Sequence, residues 1–110
     1  MYNLLIVDDE KIERDGIKML IKKFCLPLNV MEASNGKEAL KILKDAPIDI
    51  LFTDIVMPFM DGLELAQHAK EIYPELKVII YSAYGEFEYA KKAIDVSVIQ
   101  YILKPIDISE

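Results

Sequence analysis

The chain has 110 residues, of which 53% are hydrophobic and 29% are charged, and its formal net charge is −6 at pH 7. This length accommodates one globular domain and excludes two, and no apolar run approaches the roughly 20 residues of a membrane-spanning helix. Because no signal segment precedes the first apolar run and an acidic domain does not grip a phosphate backbone, we expect a cytoplasmic protein without direct contact to membranes or nucleic acids.

Five short apolar segments alternate with helical patterns along the chain. Alternating strands and helices predict a parallel sheet with helices on both faces, a doubly wound α/β fold for which the strand order 2-1-3-4-5 is one common solution. The second segment is mixed in polarity and the fifth is short, which suits sheet edges. The segments are NLLIV (3–7), NVMEA (29–33), DILFT (49–53), KVIIY (77–81) and QYIL (100–103).

Four helices are predicted between the strands, over 10–24, 34–46, 63–72 and 86–96. The periodicity of the first predicts an inward face made of Ile12, Ile17, Leu20, Ile21 and Phe24. Ser34 and Asn35 can cap the second helix. The only cysteine, Cys25, has apolar neighbours, and we expect a buried, unreactive thiol.

Charged and polar residues stand where the predicted strands end. Asp8, Asp9 and Glu10 follow the first strand, Asp54 the third, Ser82 the fourth and Lys104 the fifth. Ligands of doubly wound sheets bind beyond this edge. Neighbouring strands lie about 4.8 Å apart, so the carboxylates share a small volume and repel one another when they are unpaired.

A divalent cation resolves that repulsion. Mg²⁺ prefers oxygen ligands and keeps coordination positions for water or a phosphate oxygen. Lys104 adds a positive charge and Ser82 a hydrogen-bond donor, which together predict a cradle for a phosphoryl group, with Asp54 as its acceptor.

Each of these residues also has an ordinary structural explanation. The acidic pair could cap a helix, Asp54 could open a turn, Ser82 could cap a loop, and Lys104 could be a solvated strand end. Their joint occurrence at one end of four strands favours the functional interpretation.

These residues, together with the stretch DIVMPFMDGLEL (54–65), resemble the receiver domain of two-component response regulators along nearly the whole chain. An acidic pair, a D-x-x-M-P-x-M-D-G stretch, a Ser-Ala and a Lys-Pro occur in the expected order. The stretch YSAYGEFEYAKKAI is similar to receivers joined to AraC-type helix-turn-helix transcription factors. The resemblance implies a flavodoxin-like, five-stranded parallel sheet in the order 2-1-3-4-5.

The resemblance also implies roles for individual residues. Asp54 would accept a phosphoryl group from a sensor histidine kinase. Asp9 and Asp54 would bind Mg²⁺ directly, Asp8 would bind it through water, and the backbone carbonyl of Val56 would be a further ligand. Three residues would respond to the phosphoryl group: Lys104 by contacting its oxygens, Ser82 by turning its hydroxyl toward it, and Tyr101 as the switch aromatic.

The end of the sequence also departs from the resemblance. Only IDISE follows Lys104-Pro105, which is enough to begin a fifth helix and no more. We therefore expect residues 1–110 to form a receiver domain that lacks most of its fifth helix, with a covalently linked output domain, a helix-turn-helix DNA-binding one, outside this chain. An uncovered flank would favour a homodimer through the helix four and strand five side.

Two other function classes stay open. One is a Mg²⁺-dependent phosphatase of the haloacid-dehalogenase kind, but such enzymes place the nucleophile after the first strand, whereas the acceptor here follows the third. The other is a receiver-like interaction or dimerisation module that takes no phosphate, against which the complete set of Asp9, Asp54, Ser82 and Lys104 argues. We expect no catalysis beyond the domain's own phosphorylation and dephosphorylation.

Overall fold

One parallel sheet of five strands organises the computed structural model, which describes residues 1–83 and 100–104 of the chain. The strands are β1 (Tyr2–Val7), β2 (Leu28–Ala33), β3 (Ile50–Asp54), β4 (Lys77–Ala83) and β5 (Gln100–Lys104). Their spatial order is β2-β1-β3-β4-β5, and all neighbours are parallel. The predicted doubly wound α/β fold and its strand order are confirmed.

The helices of the described residues are α1 (Lys11–Lys23), α2 (Gly36–Asp45) and α3 (Gly62–Ile72). The Asn35 side chain caps α2 by accepting from the Glu38 N–H at 2.8 Å, as predicted, and Asp61 caps α3 by accepting from the Glu64 N–H at 2.8 Å. The fourth predicted helix, 86–96, lies outside the described residues. Within the described part of the chain, no helix has the length and apolar character needed to cross a bilayer.

Alternation along the strands divides the core into two faces. Leu5 and Val7 of β1 belong to a buried cluster with residues of α2 and α3, including Leu43 and Leu65. Leu4 and Ile6 face the other way and pack in a second cluster, with the remaining members Ile17, Phe52 and Tyr81. The second face therefore carries α1.

Three expectations about α1 and its end were wrong. The side chain of Ile12 is 77% exposed, since about 100° per residue puts it roughly 140° around the helix from the buried Ile17. Phe24 is 54% exposed because it is the C-cap residue, where the chain leaves the helix. Cys25 follows in the left-handed region, with φ 51°, and its thiol is exposed rather than buried.

Candidate functional site

Three acidic residues converge where β1 ends. One carboxylate oxygen from each of Asp8, Asp9 and Glu10 lies within 4.8 Å of the other two. Asp8 is fully buried, whereas Asp9 and Glu10 are exposed. The cluster is therefore anchored in the protein on one side and open to solvent on the other, and its oxygens are ligands of the type that hard cations prefer.

Asp8 is held by hydrogen bonds on both carboxylate oxygens. Its Oδ1 accepts from the Glu10 N–H at 2.9 Å, and its Oδ2 accepts from the hydroxyl of Tyr81. Its backbone carbonyl accepts from Nη1 of Arg14 at 2.6 Å. These bonds fix both the side chain and the backbone of this residue, and the N-cap position of α1 is occupied by Glu10 rather than by Asp8 or Asp9.

Asp54 is the last residue of β3 and is only 6% exposed. Val7 pairs with Thr53, so Asp8 and Asp54 come next at the same end of neighbouring strands. The close group of acidic oxygens among the described residues does not include Asp54. Its Oδ1 accepts from the Ile55 N–H at 2.8 Å, and its backbone carbonyl accepts from the Thr53 hydroxyl at 2.9 Å.

The first residue of α3 is packed against the backbone of Asp54. A Cβ built on Gly62 would lie 1.9 Å from the Asp54 carbonyl oxygen, and the Gly62 N–H donates to the Ile55 carbonyl at 2.7 Å. Only a residue without a side chain fits so close an approach. The start of α3 therefore fixes where Asp54 sits.

Tyr81, which the sequence analysis did not select, faces this site from β4. It pairs in register with Asp54, and its buried hydroxyl donates to Asp8. Burial, the hydrogen bond to Asp8 and the negative charges of Asp8 and Asp54 all raise the pKa of the Tyr81 hydroxyl, which therefore remains a protonated donor. The sequence did offer a signal for Tyr81: it is the hydroxyl-bearing last residue of the predicted apolar segment KVIIY (77–81) and directly precedes Ser82.

The other predicted site residues are placed by their strands. Ser82 pairs with Leu103, Ala83 pairs with Lys104, and Tyr101 pairs with Ile80. Ser82 and Lys104 therefore lie near the same edge of the sheet as Asp8 and Asp54, although the side chains of Ser82, Tyr101 and Lys104 lie outside what the structure describes.

The loop after Asp54 presents two apolar side chains to solvent. Val56 is 51% exposed, and Phe59 is fully exposed with φ 70°. Met57 is buried in the core cluster of α2 and α3, and Met60 packs against the same cluster. The packing of Met57 and Met60 therefore holds the loop beside the carboxyl end of β3.

A network of basic and acidic side chains connects α1 to β2 next to the acidic cluster. Arg14 donates from Nε to Glu32 at 3.1 Å, and Lys18 donates to the same carboxylate at 2.8 Å. The hydrogen bond from Lys18, with help from Arg14, lowers the pKa of Glu32 below its ordinary value. Arg14, which was not among the predicted site residues, joins this network to the backbone of Asp8 through its guanidinium.

Comparison with known proteins gives a consistent result. Residues 4–110 match the family model described as the response regulator receiver domain. The transcriptional regulatory protein YesN of Bacillus subtilis (strain 168) is 41% identical over 106 residues, which cover 96% of this chain and 29% of that protein. HptR of Staphylococcus aureus (strain NCTC 8325 / PS 47), also a transcriptional regulatory protein, is 36% identical over 97% of this chain and 42% of its own length. The chain spans less than half the length of these relatives.

Solved structures agree with this match. A two-component transcriptional regulator AraC from Clostridium phytofermentans ISDg has a TM-score of 0.89 and 41% identity, covering 99% of this chain and 85% of that chain. The receiver domain of AraT, a response regulator from Geobacillus stearothermophilus, has a TM-score of 0.83 and 42% identity, covering 96% of this chain and 83% of that chain.

Proposed function

The chain belongs to the response regulator receiver family, and we propose that it is a phosphorylation-controlled signalling switch with Asp54 as the phosphoacceptor. One observation carries this proposal. A buried carboxylate, Asp54, ends the strand next to the one from which Asp8, Asp9 and Glu10 converge. Acids gathered at one sheet edge, with Asp8 and Asp54 buried and Asp9 and Glu10 exposed, suit a site that binds a cation and a phosphoryl group together.

The proposed reaction is phosphoryl transfer from a phosphohistidine of a sensor kinase. A carboxylate oxygen of Asp54 forms the new bond to phosphorus, the phosphorus–nitrogen bond breaks, and the imidazole leaves with that electron pair. Such a transfer depends on in-line placement of the nucleophile. The Ile55 N–H at Oδ1 and the close approach of Gly62 restrain Asp54 for that purpose.

Asp8, Asp9, Asp54 and the backbone carbonyl of Val56 would hold Mg²⁺, and the oxygen-only donor set fits that ion. When bound, Mg²⁺ compensates the negative charge of the phosphoryl oxygens. Asp9 is exposed and suited to direct coordination. Asp8 already accepts protein hydrogen bonds on both oxygens, which supports a contact through water.

The output follows from the charge that phosphorylation adds. Lys104 would contact the phosphoryl oxygens, Ser82 would turn its hydroxyl toward them, and Tyr101 would occupy the space that Ser82 leaves. Transcriptional regulatory relatives support a linked DNA-binding output domain and a sensor histidine kinase as partners. Self-association through the helix four and strand five side stays a prediction, and gel filtration over a range of concentrations tests it.

The function is tested by intact mass after incubation with Mg²⁺ and acetyl phosphate. We expect one added phosphoryl group on the wild type, none on Asp54→Asn, and a normal gain on Asp45→Asn, a control at the end of α2. Chelation of Mg²⁺ should also prevent the gain. A wild type of unchanged mass would favour an interaction module without phosphorylation, and continuous phosphate release from many substrates would favour a phosphatase.

A further inference from the structure

Tyr81 connects two strands that are not neighbours in the sheet. It lies in β4, and its hydroxyl donates to Asp8 at the end of β1, while β3 lies between them. On the way its ring packs against Phe52 of β3, with ring centroids 4.6 Å apart. The ring is fully buried, so the phenol crosses the middle of the sheet on the α1 face and ends on a carboxylate of the acidic cluster.

We propose that Tyr81 is a positioning residue for the cation site, which it serves by fixing the carboxylate of Asp8; this inference rests on the proposed function. The Glu10 N–H restrains Oδ1, and the Tyr81 hydroxyl restrains Oδ2. Two restraints on different oxygens fix the rotation of the carboxylate group. The Asp8 carboxylate is then held in one orientation within the cluster.

Packing alone does not require a tyrosine here. Ile79, which lies two residues before Tyr81 on the same face of β4, is apolar and packs against the same cluster, and a buried hydroxyl is unfavourable unless it is hydrogen-bonded. Tyr81 meets that requirement through a bond to a residue of the acidic cluster. Removing the partner that orients a metal ligand typically weakens metal binding about 10- to 100-fold.

The test compares Tyr81→Phe with Tyr73→Phe. Each variant loses one phenol hydroxyl, but the Tyr73 hydroxyl donates to the carbonyls of Leu43 at 2.7 Å and Ala46 at 3.0 Å, away from the acidic cluster. Calorimetric titration with Mg²⁺ alone should give a Kd about 10-fold higher for Tyr81→Phe and unchanged for Tyr73→Phe. Circular dichroism and thermal unfolding report whether each variant is folded.

The outcomes separate the two proposals. A wild type that binds Mg²⁺ and accepts phosphate, with a folded Tyr81→Phe of equal Mg²⁺ affinity, overturns the role of Tyr81 and leaves the proposed function intact. A wild type that does not bind Mg²⁺ overturns both.

A measurement on the wild type covers the case in which Tyr81→Phe does not fold. In protein labelled with ¹³C at the tyrosine ring carbons, whose signals have been assigned residue by residue, Mg²⁺ should shift the Tyr81 signals and leave those of Tyr73 in place. Tyr81 signals that stay in place while Mg²⁺ saturates the protein would overturn the inference.

Discussion

Gly62→Ala should reduce the stability of this domain and displace Asp54, the proposed phosphoacceptor. The new Cβ would lie 1.9 Å from the Asp54 carbonyl oxygen, whereas real Cβ atoms essentially never approach closer than 3.0 Å, so the two backbones must separate by at least about 1.1 Å. The Gly62 N–H is bonded to the Ile55 carbonyl, which opposes that movement. Since the contact is with backbone rather than a flexible side chain, we expect a loss of about 3 kcal/mol.

Gly16→Ala is the matched control because nothing lies within 4 Å of the Cβ it would add to the exposed side of α1. It should increase the free energy of unfolding by about 0.5–1 kcal/mol, since alanine stabilises a helix interior relative to glycine. In thermal unfolding, the Tm of Gly62→Ala should be roughly 12 °C lower than that of the wild type, and the Tm of Gly16→Ala roughly 3 °C higher.

Folded Gly62→Ala should also accept phosphate from acetyl phosphate more slowly, by about 100-fold, because displacement of Asp54 by 1 Å disturbs in-line placement. Gly16→Ala should react at the wild-type rate. If the free energies of unfolding of Gly62→Ala and the wild type differed by less than about 0.5 kcal/mol, α3 would not fix Asp54 by close approach.

The remaining predictions concern α1, the network behind the site and a helix cap. Ile17→Ala should cost about 2–4 kcal/mol in urea unfolding, and Ile12→Ala less than about 0.5, because only the first is buried; equal losses would contradict the assigned face. Glu32→Gln should cost about 1 kcal/mol at pH 7. Because the pKa of folded Glu32 is lowered from 4.5, that difference is full above this value and disappears as the pH falls through the lowered pKa; a difference that stayed constant at every acidic pH would argue against the ion pairs. Asn35→Ala should lose about 1 kcal/mol, measured by thermal unfolding, and an unchanged Tm would show that the cap contributes nothing.

The strands could be predicted because short apolar segments alternate with helical patterns along the chain, and each observed strand matches its prediction within two residues. The face of α1 could not, because a helical period does not reveal how far along the helix its contact with the sheet extends. Phe24 follows the last helical residue and lies outside that contact, whereas Ile12 lies roughly 140° around the helix from Ile17 and is therefore not on the buried face.

The site, too, has features that could be predicted from the sequence and features that could not. The positions of Asp8 and Asp54 follow from topology, since parallel strands bring their carboxyl ends to one edge. The hydroxyl of Tyr81 reaches Asp8 across an intervening strand, and Arg14 reaches a backbone carbonyl from α1. Such contacts depend on side-chain reach in three dimensions, which sequence spacing does not encode.

The position of Cys25 gives this domain a single attachment point for thiol-specific dyes. It is the only cysteine of the chain, its thiol is exposed, and it follows the carboxyl end of α1, whereas the acidic cluster precedes the amino end of that helix. A maleimide fluorophore there would lie about one helix length from the acidic cluster. Fluorescence anisotropy could then follow docking of the proposed kinase partner without introducing a foreign residue or disturbing the acidic cluster.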